Sequence, residues 1–167
     1  MTPKFVELTR FSGNPVLEPN PQHRWEARAV LNAAAVKANG LYHMFYRAVD
    51  PSLISSIGYA VSIDGLRWMR LDSPILSPQE PFEERGVEDP RITYLEGMYY
   101  LTYTGYSRHG TRSALARSEN LIAWERMGIV LPDENNKDHV LFPRRIGGRY
   151  AMLHRRPPHI WIAYSDD

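Results

Sequence analysis

From Val30 onward the chain breaks into short apolar runs of about four to eight residues, rich in aromatic and β-branched side chains. Asn-Gly, Asp-Gly and Gly-Gly pairs bound them. This pattern predicts antiparallel hairpins and an all-β fold, because residues that tolerate positive φ suit the tight turns between twisted strands. No segment carries a sustained helical stripe, and Leu121-Ile122-Ala123-Trp124 is too short to make one. Residues 1–28 are punctuated by Gly13-Asn14-Pro15 and Pro19-Asn20-Pro21 around Val16-Leu17, and read as loop with room for one strand.

The runs repeat. Segments beginning at Gly40, Gly97 and Gly148 each carry a tyrosine two places later, at Tyr42, Tyr99 and Tyr150. A second strand-like run follows each and ends in a serine, at Ser62, Ser118 and Ser165; Trp68 and Trp124 stand six residues past the first two serines. Units of this size, each a few antiparallel strands, predict the blades of a β-propeller. The expected blades are 29–80, 86–132 and 137–167, the last incomplete, in a single partial propeller domain over 1–167. A β-sandwich of hairpins is the competing architecture, and the two recurrences favour the propeller.

The candidate chemistry centres on Glu88-Asp89-Pro90-Arg91. Pro90 lacks an amide hydrogen and biases Asp89 towards extended backbone, which predicts a strand entry rather than a strand middle. Strict alternation would put Asp89 beside Arg91 and turn Glu88 to the other face. Other polar groups sit in apolar strand contexts: Asn32 before three alanines, Arg47 after Met44-Phe45-Tyr46, and His154-Arg155 after Ala151-Met152-Leu153. Each has a plain structural reading as well, Asn32 as a turn cap, Arg47 as a snorkelling strand end and His154 as a satisfied core histidine. A propeller site gathers residues from equivalent places in successive blades, so these positions are considered together.

Composition narrows the function classes. With 167 residues and 43% hydrophobic content the chain is long enough and apolar enough to fold. Its net charge of +1 gives no case for nucleic acid or a membrane surface as partner. Without cysteine there is no disulfide framework or thiolate metal site, and no metal is expected. The start shows no secretory leader and no run reaches membrane-spanning length, so a cytoplasmic protein is expected. Between 137 and 156, Lys137, Arg144, Arg145, Arg149, Arg155 and Arg156 face only Asp138. Guanidinium groups grip phosphate in a planar fork, and this excess of cations points to an anionic ligand.

Asn32-Ala33-Ala34, Tyr46-Arg47, Ser56-Ile57-Gly58 with Ser62-Ile63-Asp64-Gly65, Glu88-Asp89-Pro90-Arg91, Asn136-Lys137-Asp138, Leu141-Phe142-Pro143 and His154-Arg155 together resemble glycoside hydrolase family 130. The resemblance implies a five-bladed propeller and phosphorolysis of β-mannosides to α-mannose 1-phosphate with inversion. It implies Asp89 as proton donor, Asn32 and Arg47 as mannosyl ligands, and sugar contacts from Glu88, Arg91 and His154. Lys137 and Arg155 fall at phosphate positions. No cofactor is implied beyond inorganic phosphate as co-substrate, and the sugar partner is a β-mannoside or manno-oligosaccharide. Phosphate is already an anion, so no general base is needed, whereas an inverting hydrolase needs two carboxylates. The alternatives are a β-mannoside hydrolase of the same clan and a non-catalytic carbohydrate-binding fragment. Members of the family are longer, and three units leave blade faces open, so a homo-oligomer is expected.

Overall fold

The computed structural model describes residues 7–131 and 135–167. The leaderless start expected at 1–6 and the end of the second unit at 132 lie outside the described residues. The described chain is all-β. Its strands are β1 (Ala29–Ala38), β2 (Leu41–Val49), β3 (Ser55–Ser62), β4 (Met69–Arg70), β5 (Gly86–Leu95), β6 (Met98–Ser107), β7 (Gly110–Ser118), β8 (Glu125–Leu131), β9 (Lys137–Leu141), β10 (Tyr150–Arg156) and β11 (His159–Ser165). Among the described residues helix is confined to two 3-10 turns, Arg24–Glu26 and Pro81–Glu83. Residues 7–28 contribute no strand.

Three antiparallel meanders follow one another, β1 to β4, β5 to β8 and β9 to β11. A single parallel bridge, Ser55 to Gly86, links the first two. A Cβ at Gly86 would lie 2.8 Å from that of Ser55, and the backbone there has φ +148, so glycine is what permits the approach. The first hairpin of each of the first two meanders closes through a pair with positive φ, Asn39-Gly40 and Glu96-Gly97, which matches the strand twist.

The serine and tryptophan recurrence belongs to a turn. Ser62 Oγ accepts the amides of Asp64 and Gly65 while the Trp68 indole donates to the Gly65 carbonyl. Ser118, Asn120 and Leu121 repeat the arrangement beneath Trp124. Asp64 is the turn residue its Asp-Gly context predicts: its carboxylate accepts the Leu66 and Arg67 amides.

The main core lies between the first and second meanders, where Phe45, Ile57 and Tyr59 meet Val87, Leu101, Tyr103, Ala114 and Leu121. Phe45 and Tyr46 are neighbours on opposite faces and both are buried, because Tyr46 packs with Leu17, Trp25 and Trp68 on the far side. A buried triad recurs beneath each of these meanders. The Tyr46 hydroxyl donates to Glu26 at 2.8 Å and Arg70 donates to the same carboxylate at 3.0 Å. Tyr103 and Arg126 hold Glu83 at 2.8 and 3.2 Å. Burial beside a carboxylate pushes both tyrosine hydroxyls upward, so they remain donors.

Candidate active site

The first strands of the three meanders, β1, β5 and β9, lie side by side. Each carries one non-glycine residue of positive φ, Asn32 (φ 48), Asp89 (φ 51) and Asp138 (φ 52). Asparagine and aspartate tolerate that conformation better than other side chains. The strand ladder slips at all three places, between Leu31 and Ala34, between Glu88 and Arg91, and opposite Leu153 to Arg155. These bulges aim their polar side chains out of the ladder. A cleft of about 510 Å³ runs between them, lined by Asn32, Ala33, Asp89, Arg91, Asp138 and further residues of the same strands.

The bulge corrects the simple alternation expected around Pro90. Pro90 stands inside β5, where the interrupted ladder asks nothing of its missing amide hydrogen. Glu88 and Asp89 are not on opposite faces. Both reach Arg47, whose Nη2 donates to Glu88 Oε1 at 2.6 Å and Nη1 to Asp89 Oδ1 at 3.3 Å. Asp89 is not paired with Arg91 either; Arg91 Nη2 stands 3.8 Å from Asp138 Oδ1.

Asn32 Nδ2 donates to the same Asp89 oxygen, Oδ1, at 2.7 Å. Oδ2 of Asp89 makes no hydrogen bond among the described residues. Arg47 is itself oriented by Ser55, which accepts from Nε at 3.0 Å and touches Glu88 at 3.3 Å. Burial raises the Glu88 carboxyl above its usual range, Arg47 opposes this, and the neighbouring Asp89 charge adds to it. The Lys137 ammonium pulls the same group down, which places its charge within reach of this cluster although the side chain is exposed.

Arg47 and Arg155 occupy equivalent places on β2 and β10, opposite Leu31 and Lys137, the residues just before the bulges. Arg155 Nε donates to Asp138 Oδ2 at 2.5 Å. The structure thus brings together Asn32, Arg47, Glu88 and Asp89, and brings Arg91 and Arg155 together on Asp138. His154 is buried, and its Nδ1 is 2.6 Å from Oδ1 of Asn136, the residue before Lys137. Asp138 and Ser55 escaped the sequence reading. The signal for Asp138 was its place one residue after Lys137 in an otherwise cationic stretch.

The sequence profile of glycoside hydrolase family 130, described as beta-1,4-mannooligosaccharide phosphorylase, matches residues 5–167. The chain belongs to this family. It is 51% identical to a 1,2-beta-oligomannan phosphorylase of Thermoanaerobacter sp. (strain X514), over 97% of this chain and 58% of that one. A beta-1,2-mannobiose phosphorylase of the same organism is 44% identical over 93% of this chain and 57% of its own length. A solved structure from work on family 130 glycoside hydrolases that target beta-1,2 mannosidic linkages in Candida mannan superposes with a TM-score of 0.88 at 30% identity, covering 95% of this chain and 55% of that one. The chain therefore spans little more than half the length of these relatives.

Proposed function

We propose that the chain forms the first three blades of a five-bladed propeller and carries the proton-donor side of a phosphorylase site for β-1,2-linked mannosides. The observation that carries this reading is the Asp89 carboxyl group. One oxygen is fixed by Asn32 and Arg47, and the other makes no hydrogen bond among the described residues, beside a cleft whose lining includes Arg91. That arrangement suits a general acid, which needs a fixed position and one oxygen available to the leaving group. In the reaction a phosphate oxygen forms a bond to C1, the bond from C1 to the leaving oxygen breaks, and the proton of Asp89 goes to that oxygen.

Asn32, Arg47, Glu88 and Arg91 take the mannosyl unit in this reading, and Lys137 and Arg155 take phosphate. His154 fixes Asn136, which precedes Lys137, and so supports the phosphate side from beneath. Phosphate is already an anion, so this reading assigns no general-base role to Glu88 or Asp138, each of which is paired with an arginine. The 51% identity to an oligomannan phosphorylase supports the β-1,2 linkage. A second cleft, of about 630 Å³, shares Asn32 and Ala33 with the first and gives room for more than one sugar. A charged sugar phosphate is retained where it is made, which favours work in the cytoplasm.

The test is incubation with β-1,2-mannobiose with and without inorganic phosphate. Mannose 1-phosphate formed only with phosphate is the expected result. The hydrolase relative at 30% identity supports a second reading, for which free mannose would be released at the same rate without phosphate.

A further inference from the structure

We infer that Asp138 is a specificity-determining residue of the anion position, making it accept an oxyanion that carries a proton and reject one that carries none. This rests on the phosphate reading of Lys137 and Arg155. Asp138 holds the third of the equivalent bulge positions, after Asn32 and Asp89, and lines the same cleft. Its two oxygens are used differently. Oδ2 accepts from Arg155 Nε, whereas among the described residues Oδ1 has only the Arg91 guanidinium at 3.8 Å, beyond hydrogen-bond reach. The side chain is 30% exposed and lines the cleft.

A carboxylate beside two arginines at an anion site has a cost if attraction is all that matters, because it repels every anion that enters. It has a use if the anion brings a proton. Inorganic phosphate keeps at least one proton at neutral pH and can donate it to a carboxylate oxygen. Sulfate is nearly the same size and shape, carries two charges and has no proton to donate. Toward phosphate, the free oxygen of Asp138 is a hydrogen-bond acceptor; toward sulfate it is an unrelieved like charge. Hydrogen bonds to charged groups are worth roughly 1.5–3 kcal/mol, equivalent to about a tenfold to hundredfold preference.

The discriminating experiment is calorimetric titration of the 167-residue chain and of Asp138→Asn with sodium phosphate and with sodium sulfate, at neutral pH and constant ionic strength. Asparagine also tolerates the left-handed backbone, so the substitution leaves the bulge in place. The parent should bind phosphate at least about tenfold more tightly than sulfate. In Asp138→Asn the ratio should fall by about tenfold, mainly because sulfate binds more tightly. If the variant weakens both anions alike, Asp138 only orients Arg155 and the inference is overturned while the phosphate reading stands. A parent that binds both anions equally also overturns it alone. A parent that binds neither overturns the phosphate position itself, and this inference with it.

Discussion

Arg47 bridges two carboxylates that are adjacent in sequence, with Nη2 at 2.6 Å from Glu88 and Nη1 at 3.3 Å from Asp89. The contact exists because the bulge in β5 breaks the alternation that would have separated them. One guanidinium thus sets the orientation of the candidate acid and opposes the upward shift that burial imposes on its neighbour.

Arg47→Lys should separate these roles, since an ammonium group is a point charge and cannot bridge both carboxylates in the same plane. The Glu88 carboxyl should titrate higher than in the parent, because the group that lowers it is weakened while its burial remains. Affinity for β-1,2-mannobiose should fall by about tenfold or more. Carboxyl-detected NMR titration and calorimetry would read the two effects. An unchanged or lower Glu88 midpoint would contradict the assignment of Arg47 as its main counter-charge.

The buried Glu83 triad should be a stability element. Glu83 is fully buried, and Arg126 is 17% exposed. Glu83→Ala removes the counter-charge of Arg126, which keeps its bonds to Gln79 and the Ser77 carbonyl, and strands the Tyr103 hydroxyl; it should cost about 3 kcal/mol. Urea denaturation would measure it, and a loss below about 1 kcal/mol would mean that water replaces the carboxylate readily.

His139 should make the fold sensitive to acid. Burial lowers its pKa from 6.5 to about 4, against the opposing hydrogen bond from Nε2 to the Ala114 carbonyl. A histidine with a depressed folded pKa binds fewer protons folded than unfolded, so its contribution is present above about pH 6.5 and is lost as pH falls towards 4. The loss attributable to this group is on the order of 3 kcal/mol. Thermal unfolding across that range should show the decline, and His139→Gln should lack this component of it.

The hairpin punctuation made the all-β class legible, and the Gly-x-Tyr recurrence marked β2, β6 and β10 at their true positions. Asn32, Arg47 and Asp89 were legible because polar residues in apolar runs stand out. What escaped was their mutual geometry. The left-handed residue at each bulge depends on long-range pairing between β1 and β2, β5 and β6, and β9 and β10, which local spacing does not encode. Asp138 was lost for a related reason: the loops leading to β9 differ in length from those leading to β5, so the repeat interval overshoots it. Glu26 and Glu83 gave no signal because a charged residue in a loop reads as solvated until the tyrosine beneath it is known.

The outer hairpin strand β11 should mediate association. Ile160, Trp161, Ile162 and Tyr164 are all exposed on it, at 72%, 45%, 43% and 44%. Contiguous apolar residues on an edge strand favour pairing with another chain. Light scattering should report dimers or larger species, and any phosphorolysis should elute with them. Ile160→Lys with Ile162→Lys should shift the population towards monomer; an unshifted, monodisperse monomer in the parent would contradict the expectation.

The central claim is that Asp89 delivers the proton in phosphorolysis, and Asp89→Asn tests it most directly. Asparagine keeps the shape, the tolerance of φ 51 and an oxygen for Asn32, and removes the proton. Formation of mannose 1-phosphate from β-1,2-mannobiose and phosphate, measured on whichever assembly of the chain turns over, should fall by about 10² to 10⁴-fold with mannobiose affinity within a few-fold of the parent. Turnover within a few-fold of the parent would contradict the account.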